Sequence, residues 1–80
     1  MKAVLEFEFP KDDVEFYWAT NGATMNLVLW KMDQWLRSKT KHAPDDMSDD
    51  TYKAFEECRE QLRGLIDEYN LDLDKYNYPL

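Results

Sequence analysis

Eighty residues with seventeen Asp+Glu against ten Lys+Arg carry a net charge of −7, which repels a nucleic-acid backbone unless the basic groups cluster sharply. A single cysteine excludes an intrachain disulfide, and Cys58 with one histidine, His42, cannot supply the four ligands of a structural zinc. No apolar run approaches the roughly eighteen residues of a membrane span, and Lys2 and Glu6 argue against a signal peptide, so the expected compartment is the cytoplasm with no membrane partner.

A chain of this size makes one domain, residues 1–80, and buries only about 60% of the surface its unfolded form exposes. Disulfides and metals being unavailable, self-association is the remaining route to stability. Three Trp, five Tyr and four Phe make 15% of the chain aromatic, more than so thin a core accommodates. Such side chains are enriched at interfaces, and a homo-oligomer is the expectation.

In chain order, residues 2–9, KAVLEFEF, alternate with Ala3, Leu5, Phe7 and Phe9 on one face, which predicts a half-buried strand ended by Pro10. Its partner would be Leu71-Asp72-Leu73 or the same strand of a second copy. Pro10 and Asp12-Asp13 read as a helix start, and a short helix follows from about Lys11 to Thr20. Asn21-Gly22 reads as its left-handed cap; the same pair is also a strong hairpin signal.

From Ala23 to about Lys41, Met25, Val28, Leu29, Met32, Trp35 and Leu36 recur at helical spacing, and Ala43-Pro44 stops the run. After an acidic loop, Ser48 or Asp49 caps a second long helix from about Asp50 to Tyr69. Its stripe is Tyr52, Phe55, Cys58, Leu62, Leu65, Ile66 and Tyr69, with Cys58 expected as a buried small hydrophobe. Gly64 inside it suggests a close helix contact, and Asn70 suits its C-terminal cap. The expected fold is therefore mostly α with a short N-terminal β-strand (α+β): strand, short helix, two longer antiparallel helices and a short extended C-terminal tail, LDLDKYNYPL (residues 71–80), either docked or frayed.

One polar line stands out on the 23–41 helix. Trp30, Gln34, Arg37 and Lys41 follow at spacings of four, three and four, with Asn26 and Asp33 beside them. Residues 31–42 hold Lys31, Arg37, Lys39 and Lys41 against Asp33, a local +3 that leaves −10 for the rest. An aromatic plane, amides and two cations are the parts of a nucleotide site. The plainer reading is a solvated face in which Asp33 and Arg37 form an i,i+4 ion pair.

The loop from Asp45 to Asp50 lacks the alternating ligands, glycine and closing glutamate of a calcium site. Glu56, Glu57, Glu60 and Asp67 interleave with Lys53, Arg59 and Arg63 as a salt-bridged exposed face. His42 sits at a helix end without a nucleophile in context, and two glycines cannot build a phosphate-cradling loop. No catalytic residues, cofactor or metal site are expected.

Three pieces of the chain in order, MKAVLEFEFP, LVLWKMDQWLRSKTKHAPDDM (residues 27–47) and YKAFEECREQL (residues 52–62), resemble a group of small proteins encoded by bacterial viruses. The segment from Leu29 to Arg37 is the most specific part, with Trp30, Asp33, Trp35 and Arg37 as the motif residues that would matter. The resemblance implies a protein working in the host bacterial cytoplasm against host defences, by binding a host protein or by sequestering a nucleotide signal as an oligomer.

These readings converge on a non-enzymatic homo-oligomer that holds a small phosphorylated ligand, such as a cyclic nucleotide, through Trp30, Gln34, Arg37, Lys41 and Asn26 at a subunit boundary. The alternatives are an acidic inhibitor of a host defence protein, carried by Asp45, Asp46, Asp49, Asp50, Glu57 and Glu60, or a structural assembly protein.

Overall fold

Helix-forming residues run without a proline from Lys11 to Ala43, and they form one uninterrupted helix, α1, over Asp13–Lys41 in the computed structural model, which describes residues 1–74. A second helix, α2, spans Asp49–Glu68. The two pack as an antiparallel hairpin, in which Asp33 meets Arg59 and Arg63 and Trp35 meets Phe55.

The expected α+β class is overturned: the described residues contain two helices and no strand. Residues 1–8 have no regular structure, with Val4 and Leu5 each 76% exposed. A strand needs a partner for its ladder, and the segment around Leu71 serves another purpose. There the Leu71 N–H donates to the Ile66 carbonyl at 3.0 Å, and Leu73 is buried. The alternation of residues 2–9 survives only as a local contact, where Phe7 and Phe9 set their rings edge-on to Phe16 at 5.4 and 5.0 Å.

The predicted break at Asn21-Gly22 is also overturned, because both residues lie inside α1. The Asn21 amide donates back to the Tyr17 carbonyl at 2.8 Å, and the Thr20 hydroxyl to that of Phe16 at 2.8 Å. Side chains that bond the preceding turn no longer cap anything. Gly22 and Gly64 both have open space where a Cβ would stand, so no close helix contact explains Gly64. Gly22→Ala is therefore expected to raise stability by about 0.5–1 kcal/mol, as at any open helical glycine. A hairpin turn at Asn21-Gly22 would make the same change destabilising, and thermal melts distinguish the two.

The start of α1 is set by a reversal over residues 9–12. The Asp12 carboxylate accepts the Glu8 N–H at 2.9 Å while the Asp12 N–H donates to the Glu8 carbonyl at 2.6 Å. At α2, the Ser48 hydroxyl accepts the Thr51 N–H at 3.2 Å, and Asp49 and Asp50 fill the first turn, where carboxylates favour the positive end of the helix dipole. α2 ends through Asn70, whose φ of 57° is left-handed and lets the Leu71 N–H reach back to the helix.

The core is small. Leu36, Ile66 and Leu73 are the buried apolar side chains among the described residues, and the one buried charge is Asp33. Most of the two expected stripes stay open. Val28, Met32 and Trp35 of α1 are 60, 49 and 49% exposed, and Tyr52, Leu65 and Tyr69 of α2 are exposed as well. Cys58, expected inside, is exposed. At 1.5 Å per residue α1 is about 43 Å long and α2 about 30 Å, so the first turns of α1 reach past the end of α2, and the molecule extends 56 Å along its longest axis.

Candidate functional site

The polar centre of the hairpin is Asp33. Its side chain is fully buried, and both oxygens are taken by α2. Arg59 donates Nε to Oδ1 at 3.0 Å and Nη2 to Oδ2 at 3.3 Å; Arg63 repeats the pattern at 3.0 and 2.7 Å. The i,i+4 spacing of the two arginines brings both forks to one carboxylate. Arg63 also donates Nη1 to Asp74 at 3.4 Å, which ties the segment after α2 to the same cluster. Burial pushes the Asp33 pKa up, but hydrogen bonds and charge from both guanidiniums outweigh it and hold the carboxyl below its ordinary value. For Arg63, burial acts downward and the Asp33 and Asp74 carboxylates outweigh it, raising its pKa.

This arrangement replaces the Asp33–Arg37 ion pair of the plainer reading. Arg37 is exposed and so is Lys41, and neither has a carboxylate partner within 4 Å among the described residues. Sequence reasoning assigned Arg59 and Arg63 to a solvated face and missed their role. The signal was a lone aspartate beside the apolar stripe of one helix and two arginines a turn apart on the other.

Of the five residues proposed to bind ligand, Trp30 and Gln34 are half-buried on the flank of α1 that carries Arg37 and Lys41. The Gln34 amide donates to Asp33 at 3.3 Å, a long bond that uses one of its two hydrogens. Asn26, also half-buried, lines an apolar depression of about 390 Å³ with Gly22, Ala23, Met25, Leu29, Leu71 and Asp72. The structure thus keeps the five along one side of α1, as their spacing requires, on a convex helix surface. Trp35, by contrast, faces the other way, where it packs edge-on against Phe55 at 6.0 Å and carries the Lys39 ammonium 4.9 Å above its ring.

Beside Arg59 and Arg63 lies a shallow depression of about 310 Å³, completed by Thr40, Glu56 and Glu60. Its two glutamates oppose an anion there, and its arginines already share the Asp33 carboxylate, with Asp74 also on Arg63. The acids Asp45, Asp46, Asp49, Asp50, Glu57 and Glu60 are all exposed.

No model of a known protein family matches the chain, and neither a curated protein nor a solved structure does. The chemistry of its own residues has to carry the functional reading. No helix among the described residues is long and apolar enough to cross a membrane.

Proposed function

We propose that this is a non-enzymatic binding protein that works as a homo-oligomer and holds a small phosphorylated ligand on the Trp30–Gln34–Arg37–Lys41 flank of α1. The observation that carries the reading is the commitment of Asp33 to α2, which leaves Arg37 and Lys41 as two cations a turn apart with no carboxylate partner among the described residues. Trp30 offers a plane on which a base stacks, Gln34 and Asn26 offer amides to its edge, and Arg37 with Lys41 neutralises phosphate. A cyclic nucleotide has all three features. A role against a host nucleotide signal rests on the resemblance to small viral proteins alone. The homo-oligomer is supported by the balance of surfaces, since among the described residues three apolar side chains are buried while Trp18, Trp35, Tyr17 and Tyr69 are exposed.

Titration calorimetry with a panel of cyclic mono- and dinucleotides tests the ligand. Arg37→Ala is expected to weaken binding of the responsive nucleotide by about 10- to 100-fold, the worth of a charge-assisted hydrogen bond, with little change in melting temperature because Arg37 is exposed. A panel without a binder, or an affinity unchanged by Arg37→Ala, refutes the assignment.

A further inference from the structure

The continuity of α1 through Asn21-Gly22 creates a pattern that a broken helix would not have. Val14, Trp18, Met25, Val28, Met32 and Trp35, with Asn21 inside the series and Lys39 at its end, recur at alternating spacings of four and three over the whole helix. That is the apolar seam of a coiled coil. α2 leaves it largely uncovered: Val14 and Trp18 are 59 and 57% exposed, and Val28, Met32 and Trp35 remain about half exposed or more. The N-terminal segment does not cover it either, since Phe7 and Phe9 pack on Phe16, whose position is on the opposite side of the helix from Val14 and Trp18.

We infer that this seam docks against the same seam of a second copy, with the two α1 helices antiparallel. The inference rests on the homo-oligomer proposed above and specifies its interface. Three features favour a second copy in this orientation. The series is symmetric about a point between Met25 and Val28, so one antiparallel register fills every layer, setting Met25 against Val28 of the other chain and Trp18 against Trp35. The helix is also polarised, with Asp13 and Glu15 in its first turn and Lys39 and Lys41 in its last; antiparallel pairing brings each acidic end to a basic one, and parallel pairing sets like charges together. The seam with its flanking Tyr17 and Lys31 offers on the order of 800 Å² per chain, what one partner contributes to a stable complex. Asn21, which faces Met32 of the other chain in this register, has one amide hydrogen already bonded to the Tyr17 carbonyl.

The seam lies across α1 from Trp30, Gln34, Arg37 and Lys41. Pairing through it leaves that flank facing outward on each chain, so the ligand surface belongs to one chain at a time and not to the subunit boundary.

Two measurements on the full chain test the pairing. In sedimentation equilibrium the wild type is expected to be a dimer at micromolar concentration and Val28→Glu a monomer of unchanged helicity, since Val28 is open in the single hairpin and central in the pair. With a spin label on His42→Cys in a Cys58→Ser background, the interlabel distance is expected near 45 Å, twice the axial offset from the symmetry point; a parallel pair gives under about 20 Å. A monomeric wild type, a Val28→Glu variant that still dimerises, or a short interlabel distance overturns the proposal. Nucleotide binding by Arg37→Ala is read separately, so loss of the ligand assignment leaves the pairing standing, and loss of the pairing leaves the ligand surface standing.

Discussion

Asp33→Asn is expected to cost about 3 kcal/mol and to lower the melting temperature by roughly 15 °C or more. The substitution keeps the shape of the side chain and removes the charge that both Arg59 and Arg63 share. Breaking a buried pair from the side of its buried member is costly because the partners remain. Here two guanidiniums, each about one third exposed, are left close together with no anion between them. Asp74→Asn is the matched control. It removes a 3.4 Å contact from an exposed carboxylate, and less than about 1 kcal/mol should follow.

The same network has a pH signature. A carboxyl held below its ordinary value when folded stabilises the fold above its unfolded pKa, and that contribution is lost as pH falls through the lower folded value. For Asp33, whose reference value is 3.8, the wild type should keep the full contribution at neutral pH and lose it progressively below about pH 4. Asp33→Asn should show a shallower dependence in that acidic window. Chemical denaturation at several pH values reads both effects. Equal slopes for wild type and Asp33→Asn would show that Asp33 is not the linked group.

Ile66→Ala carries the second large effect. Ile66 is 4% exposed, and deleting a buried isoleucine to this extent costs about 2–4 kcal/mol, through lost burial and the space left behind. In a large domain that is a fraction of the stability. In a hairpin whose other buried apolar side chains among the described residues are Leu36 and Leu73, it is comparable with the whole, so Ile66→Ala should be substantially unfolded by circular dichroism at dilute concentration. The Ile66 carbonyl also accepts the Leu71 N–H, so the segment that buries Leu73 should loosen with it. The contrast is Leu5→Ser, 76% exposed in a segment with no regular structure. It should shift stability by less than about 0.5 kcal/mol, whereas a strand packed on a core would not tolerate it.

What local chemistry decides was legible in the chain itself. Ser48 caps α2, Asn70 turns out of it in the left-handed region, and helix ends near Lys41 and Glu68 follow from Ala43-Pro44 and from Asn70. Each depends on groups within four residues of one another. The tail from residue 75 onward lies outside the described residues. Strand 2–9 and the break at Asn21-Gly22 were also read from local pattern, and there it misled. Alternation describes a face and cannot supply the second backbone a ladder needs. Asn-Gly is a turn signal only where the flanking residues are not held in a longer helix.

The sequence by itself determined helices over about residues 23–41 and 50–69, their reversal near Pro44 and a side of the first that carries Trp30, Gln34, Arg37 and Lys41. Only the tertiary structure decided which charge is buried and which, among the described residues, stand without a carboxylate partner. Asp33 had Arg37 four residues away and Arg59 and Arg63 twenty-six and thirty residues away. Inside the hairpin, where little water competes, two arginine forks supply four hydrogen bonds to one carboxylate. An exposed neighbour one turn along the helix offers a single solvent-screened contact. That choice between partners lies in the packing of α1 on α2, and both the stability of the hairpin and the availability of Arg37 follow from it.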